Sequence, residues 1–237
     1  MSEGAEGRQP LVLIPGLACD AALWEAQVSG LWDLAAFTIG DTLRDDSIAV
    51  MASRILASAP ERFAVAGLSM GGYVALEIWR QAPGRVTRLA LLDTNARADN
   101  RHTSAMRRGT IAAAEQRGYE AVAREGLTRL VRPEAPADLR ERVVAMALRT
   151  GFEVYARQQN AIITRADSRD DLTGIKVPTL VLVGEQDALT PPALSEEMAT
   201  AIPGAVLERI ADSGHLSAME QPTAVTAAMR RWLERPA

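Results

Sequence analysis

The stretch from Phe63 to Gln81 reads FAVAGLSMGGYVALEIWRQ and carries the clearest local pattern in the chain. Residues 63–66 form a short apolar run that fits a buried strand. From Met70 onward the apolar residues recur at helical spacing, and the predicted helix ends at Pro83-Gly84. Between strand and helix lies Gly67-Leu68-Ser69-Met70-Gly71, a G-x-S-x-G pattern in the strand–turn–helix context of a nucleophilic serine.

The predicted turn around Ser69 would hold its hydroxyl above the edge of a sheet, in a strained backbone conformation. Gly67 and Gly71 lack side chains, so the strand and the helix can approach each other closely. The helix N-terminus would also favour negative charge that develops on a substrate oxygen. Ser69 is therefore the predicted nucleophile, and the alternative is a chance occurrence of the pattern.

Length and composition are ordinary for a soluble globular protein. A chain of 237 residues can bury a full core, and an α/β fold of this size is commonly one domain. The hydrophobic content of 48% and charged content of 24% are ordinary. With a net charge of −4 and acids interspersed among the arginines, the chain lacks the basic stripe typical of nucleic-acid binding.

The sequence also predicts a cytoplasmic protein without a membrane partner. Residues 1–10 contain no apolar segment of the kind found in signal peptides, and no apolar run approaches the roughly 20 residues that span a bilayer. The single cysteine, Cys19, cannot form an internal disulfide and fits a reducing compartment. No base is evident beside Cys19, so we interpret it as a small buried residue.

Further apolar runs alternate with helical patterns along the chain. Predicted strands are Leu11–Ile14, a weaker Ala35–Ile39, Leu89–Leu92, Thr179–Val183 and Ala205–Ile210, and predicted helices cover about 21–31, 47–59, 192–201 and 222–233. This alternation predicts an α/β fold with a mostly parallel central sheet covered by helices on both faces.

Residues 96–170 contain no strand-like run, and helix-forming residues dominate there. Four helices are predicted at about 102–116, 119–131, 137–150 and 152–166. We expect a single domain, 1–237, whose core is 10–95 and 171–237 and whose helical cap, at about 96–170, is inserted after the third clear strand. Its apolar residues could line a pocket or form the core of the cap; they include Met106, Ile111, Leu127, Met146, Tyr155 and Ile162.

Ligands of such sheets bind beyond the carboxyl ends of the strands. Five candidate site residues follow predicted strands: Leu17, Ser69, Asp93, Asp187 and His215. A serine hydroxyl needs an adjacent base, and His215, in a turn of small residues, is the better candidate. The other histidine, His102, lies in an arginine-rich helix and is interpreted as a surface residue.

The base needs a carboxylate to orient it. Asp187 is the predicted acid, Asp93 is an alternative because it also ends a strand, and Glu185 is a weaker one. The backbone N–H of Leu17 could supply half of an oxyanion hole, although a plain strand-to-helix turn would look the same in sequence.

The order Ser69, Asp187, His215 is typical of one hydrolase fold. Four blocks, Leu13–Leu17, Gly67–Gly72, Gly184–Asp187 and Gly214-His215, resemble the small bacterial α/β-hydrolases. The chain is most similar to the group that holds carboxylesterases, the pimeloyl-carrier-protein methyl ester esterase and enol-lactonases. The resemblance covers about Pro10 to Leu233, and its motifs are specific for fold and triad but not for substrate.

The resemblance implies an α/β-hydrolase fold with Ser69 as nucleophile, Asp187 as acid and His215 as base. It assigns oxyanion donation to the backbone N–H groups of Met70 and Leu17. The chain departs from the family by starting its first strand near residue 11, so the usual leading β-hairpin looks shortened or missing. It also lacks the HGGG loop of lipases, which disfavours tertiary-alcohol and lipase-type substrates.

The expected function is hydrolysis of a small or medium carboxylic ester through an acyl-enzyme, with no metal or organic cofactor. Lactonase, thioesterase, acyltransferase and carbon–carbon bond hydrolase activities could use the same triad. Dehalogenases and epoxide hydrolases resemble this fold but carry Asp at the position of Ser69, which disfavours both. A non-catalytic ligand-binding homologue is the alternative from another class. The expected partner is a small-molecule ester, and the oligomeric state is not predicted.

Overall fold

A computed structural model describes residues 7–236, apart from the side chains of residues 127 and 128. Six strands form one sheet: β1 (Gln9–Ile14), β2 (Ala35–Ile39), β3 (Phe63–Leu68), β4 (Val86–Leu92), β5 (Thr179–Gly184) and β6 (Val206–Ile210). Their order is β2-β1-β3-β4-β5-β6, and all five pairings are parallel. The predicted α/β sheet is confirmed, and every described pairing in it is parallel.

Ten α-helices lie among the described residues: α1 (Glu25–Gly30), α2 (Ile48–Ser58), α3 (Met70–Gln81), α4 (Arg101–Arg117), α5 (Tyr119–Leu130), α6 (Ala137–Thr150), α7 (Phe152–Ile163), α8 (Pro192–Ala201), α9 (Ser217–Glu220) and α10 (Pro222–Glu234). Short 3₁₀ helices cover Ala21–Trp24, Pro83–Arg85 and Arg169–Gly174. The helices α4 to α7 follow one another between β4 and β5, and we call them the cap helices.

Both faces of the sheet are covered because the central strands are apolar on both sides. Leu11 and Leu13 of β1 pack in one cluster with Trp24 and Trp232, whereas Val12 and Ile14 face the helices α2 and α3. All six of these side chains are almost fully inaccessible to solvent. Burial of each large apolar side chain contributes about 1.5–3 kcal/mol, which holds the strand ends in fixed positions.

The boundaries of two predicted helices differ from the structure. The helix expected at about 21–31 is a 3₁₀ helix followed by α1, because Trp24 has a non-helical backbone (φ −104°, ψ 6°) between them. Asp20 caps the first part, since its side chain accepts a hydrogen bond from the N–H of Ala22. The helix expected at 152–166 ends at Ile163, and Arg165 donates to the carbonyl of Ile162.

Candidate active site

Ser69 lies in a sharp turn between β3 and α3. Its backbone has φ 55° and ψ −116°, a region that residues with a side chain rarely adopt. Two glycines make the turn feasible: a Cβ on Gly67 would lie 2.1 Å from the carbonyl oxygen of Gly71, and a Cβ on Gly71 would lie 2.1 Å from that of Ile14. The Ser69 N–H donates to the carbonyl of Leu92, which anchors the turn to β4.

Ser69, His215 and Asp187 form one chain of hydrogen bonds. Ser69 Oγ lies 2.8 Å from His215 Nε2, and His215 Nδ1 lies 2.9 Å from Asp187 Oδ2. Because a carboxylate accepts at Nδ1, this network assigns the ring proton to Nδ1 and leaves Nε2 to accept from the serine. The structure therefore brings together the three residues that the sequence singled out from separate loops.

The buried pair of His215 and Asp187 has perturbed acidities. Burial raises the pKa of Asp187, but attraction to His215 and hydrogen bonds from His215 and Thr190 outweigh burial and hold the pKa below its ordinary range. Burial lowers the pKa of His215, yet the carboxylate of Asp187 raises it by more, so the pKa lies above 6.5. The arrangement stabilises an imidazolium, which a general base becomes during proton abstraction.

Asp93, the alternative acid, takes a different place. Its Oδ1 accepts from the N–H of Gly184 at 2.8 Å, and its Oδ2 is hydrogen-bonded to Ser217 Oγ. Burial, followed by repulsion from Asp187, raises the pKa of Asp93 to about 8. No described hydrogen bond joins it to the ring of His215, so it links the loop before Asp187 to the helix after His215.

The remaining alternatives lie away from this chain of hydrogen bonds. Glu185 is exposed, and so is His102 on α4. Cys19 lies near the site, but burial, followed by repulsion from Asp20, raises the pKa of its thiol to about 12. The thiol is therefore neutral at physiological pH and is not an effective nucleophile.

Leu17 and Met70 both lie beside Ser69, on different segments of the chain. Met70 is the first residue of α3, where a backbone N–H has no partner within the helix. Among the described residues, no hydrogen bond takes the N–H of Leu17 or that of Met70. Both amides therefore remain available to an oxyanion. The next residue, Ala18, has φ 57° and marks a strained turn in the Leu17 loop.

Three supporting residues were not identified from the sequence. Gln158 of α7 is fully buried, accepts from the N–H of Ala18 at 2.8 Å and donates to the carbonyl of Thr42 at 3.0 Å. Thr190 Oγ1 donates to Asp187 Oδ2 at 2.6 Å. Glu220 accepts from the N–H of Gly214 at 2.9 Å. These contacts depend on tertiary structure, and no local sequence pattern indicates them.

A cavity of about 320 Å³ opens onto Ser69 and His215. It lies between the ends of the strands and the cap helices, each of which contributes to its wall. Of the cap residues that could line a pocket or form the core of the cap, Met106, Tyr155 and Ile162 line the cavity, whereas Ile111 and Met146 do not. The side chain of Leu127 lies outside the described residues. The wall is mainly apolar, which suits the carbon skeleton of a small organic substrate.

Residues 11–229 match the sequence profile of the alpha/beta hydrolase family. The chain belongs to this family. Membership agrees with the parallel sheet and with the position of Ser69 directly after the carboxyl end of the inner strand β3. Within residues 7–236 of this hydrolase, no helix is long and apolar enough to cross a membrane, and no group of three His, Cys, Asp or Glu side chains could hold a metal ion.

Several relatives of this hydrolase carry esterase names. The chain is 29% identical to a pimeloyl-[acyl-carrier protein] methyl ester esterase of Aromatoleum aromaticum, over 77% of this chain and 78% of the relative. It is 27% identical to a biotin biosynthesis bifunctional protein of Cellvibrio japonicus, over 96% of this chain but only 48% of that longer protein. A solved esterase of Thermogutta terrifontis has 32% identity and a TM-score of 0.85, with 95% of this chain and 89% of the esterase covered. These names agree with the predicted group and with a hydrolytic enzyme.

Proposed function

We propose that this α/β hydrolase cleaves a small or medium carboxylic ester through an acyl-enzyme, with Ser69 as nucleophile, His215 as base and Asp187 as acid. The observation that carries the proposal is the contact of 2.8 Å between Ser69 Oγ and His215 Nε2 at a largely apolar cavity. The esterase names of the relatives support the same class of substrate. In this proposal residues 10–95 and 171–237 hold the reacting groups, and the cap at about 96–170 shapes the substrate pocket.

In the first half-reaction Ser69 Oγ attacks the ester carbonyl while His215 Nε2 takes the hydroxyl proton. The carbonyl oxygen becomes an oxyanion, and the N–H groups of Leu17 and Met70 donate to it. Each such donor is worth about 3 kcal/mol in the transition state. The imidazolium then protonates the leaving alkoxide, so the carbon–oxygen bond breaks and an alcohol departs.

In the second half-reaction a water molecule attacks the acyl-enzyme. His215 takes a proton from the water, and the same two amides stabilise the second oxyanion. The proton returns to Ser69 Oγ as the carboxylic acid leaves, which restores the starting state. Asp187 stays ionised throughout and keeps the ring of His215 oriented.

The test is Ser69→Ala against p-nitrophenyl esters of graded acyl length, with labelling by a fluorophosphonate probe as a second readout. Ser53→Ala is a matched control because Ser53 is an exposed serine on α2. We expect S69A to abolish both turnover and labelling and S53A to retain both. Turnover that persists undiminished in S69A would remove the proposal, and labelling without turnover of any ester or thioester would indicate a different reaction.

A further inference from the structure

Three of the polar residues that line the cavity come from three different cap helices. Arg107 comes from α4, Tyr119 from α5 and Tyr155 from α7. The two tyrosine rings are in contact, with centroids 5.0 Å apart. We call these three residues the donor wall, because each carries a hydrogen-bond donor with no acceptor among the described residues.

The charge around Arg107 is not balanced. Arg107 Nε lies 2.7 Å from Asp99 Oδ2, and Arg165 Nη1 lies 2.6 Å from Asp99 Oδ1. Neither guanidinium is paired with any other carboxylate among the described residues. Two cations therefore share one carboxylate, and this cluster carries one net positive charge. The side chains of Asp99 and Arg165 are 4% and 6% exposed and that of Arg107 is 26% exposed, so bulk water screens that charge only in part.

The donors of the wall are also unused. Tyr119 Oη is buried and has no hydrogen-bond partner in the described part of the chain. Tyr155 Oη accepts from Gln159 Nε2 at 2.8 Å, and Gln159 Oε1 accepts from Arg107 at 2.9 Å. These two bonds leave the Tyr155 proton and the Nη2 group of Arg107 without a described acceptor.

An unpartnered buried hydroxyl is costly, and so is an unbalanced charge in a partly buried cluster. A ligand with an anionic acceptor would remove both costs at once. The planar fork of a guanidinium fits the two oxygens of a carboxylate, and phenolic O–H groups donate to the same oxygens. The cavity that holds both this wall and Ser69 is otherwise lined mainly by apolar residues, which suits a short hydrocarbon spacer.

We infer that the substrate is an ester that also carries a free carboxylate, and that the donor wall binds this carboxylate while Ser69 attacks the ester. The inference rests on the proposed esterase function and names its substrate class. Arg107 would supply charge and orientation, and the hydroxyls of Tyr119 and Tyr155 would complete the carboxylate site. None of the three residues acts on the scissile bond.

The experiment compares two series of substrates in a pH-stat: monomethyl esters of dicarboxylic acids from succinic to adipic, and methyl alkanoates of matched length. The readout is the ratio of kcat/KM for the charged ester to that for its neutral counterpart. A hydrogen bond to a charged group is worth about 1.5–3 kcal/mol, or roughly 10- to 100-fold. We expect the wild-type ratio to exceed about 10 at the best length.

Substitutions in the donor wall should lower this ratio of kcat/KM values. Arg107→Gln should lower it at least about tenfold, and Arg107→Lys, which keeps the charge but not the fork, should lower it less. Tyr119→Phe should lower it about three- to tenfold without loss of thermal stability, because its hydroxyl has no described partner. Arg108→Gln is the matched control: Arg108 is exposed on the same helix, lies outside the cavity and should leave the ratio unchanged.

Two results would overturn the inference and leave the esterase proposal intact. One is an equal ratio in wild type and R107Q, and the other is a preference of the wild type for neutral esters at every length. Hydrolysis of both series that survives in S69A overturns the esterase proposal instead. If R107Q does not fold, as judged by circular dichroism, R107K and Y119F decide: an unchanged ratio in both overturns the inference.

Discussion

Gly71→Ala should separate the two halves of the proposed oxyanion hole. Gly71 lies in the first turn of α3, two residues after Ser69, and a Cβ there would lie 2.1 Å from the carbonyl oxygen of Ile14. Real contacts of a Cβ are not shorter than 3.0 Å, so the end of β1 and the start of α3 must move apart by about 0.9 Å. Ile14 precedes the Leu17 loop, so the movement displaces the amide of Leu17 from that of Met70.

Misplacement of reacting groups by about 1 Å can cost roughly 100-fold in rate. Overpacking of a tight contact costs about 1–3 kcal/mol of stability. We therefore expect G71A to fold, to melt at a lower temperature and to lose about 100-fold in kcat/KM for a p-nitrophenyl ester. The assays are steady-state hydrolysis and a thermal melt followed by circular dichroism.

Gly109→Ala is the matched control, because a Cβ on Gly109 meets nothing within 4 Å and the residue lies inside α4. Alanine is favoured over glycine in a helix by about 1 kcal/mol, so G109A should melt slightly higher and keep its activity. If G71A behaves like G109A in both assays, the close approach of β1 and α3 does not hold the site, and the reasoning is refuted.

Three further outcomes follow from the buried groups. As the proposed base His215 must be neutral, and its pKa lies above 6.5, so kcat/KM should rise with pH to a half-maximum above 6.5; a half-maximum at or below 6.5 contradicts this. Thr190→Val removes the bond from Oγ1 to Asp187, so the pKa of Asp187 should rise and kcat fall about tenfold, measured against a Thr173→Val control. Asp93 has a folded pKa of about 8 against 3.8 when unfolded, so its contribution to stability is present below pH 4 and is lost as pH rises towards 8. Asp93→Asn, which cannot titrate, should show a smaller fall in melting temperature between pH 5 and pH 8 than the wild type, and an equal fall would count against this account.

Most elements of the core could be predicted from local patterns. A buried parallel strand is a continuous apolar run, and a helix shows its period over a few turns, so the sequence predicts all six strands with errors of a few residues at their ends. The short helix α9 and the 3₁₀ helix Arg169–Gly174 were missed, because segments of one or two turns are too short to show a period.

The chemistry of the site was only partly contained in such patterns. The strand–turn–helix context of Ser69 is local, so the candidate nucleophile could be chosen from one stretch of sequence. The candidate acid could not be chosen in this way, because Asp93 and Asp187 both end buried strands. Their side chains differ in what they meet: Asp187 reaches Nδ1 of His215 at 2.9 Å, while Asp93 binds Gly184 and Ser217.

The residues that line the cavity show most clearly the difference between what local sequence patterns predict and what tertiary packing decides. Apolar periodicity identifies a helix and one of its faces, but it does not say which neighbour that face meets. Met106 and Ile162 therefore line the cavity while Ile111 and Met146 do not. The unused donors of Tyr119 and Arg107 cannot be predicted from the sequence, because whether a donor has a hydrogen-bond partner depends on how the four cap helices pack together. Short-range order along the chain thus determines the framework and the choice of candidate nucleophile, and long-range packing determines which side chains share one pocket.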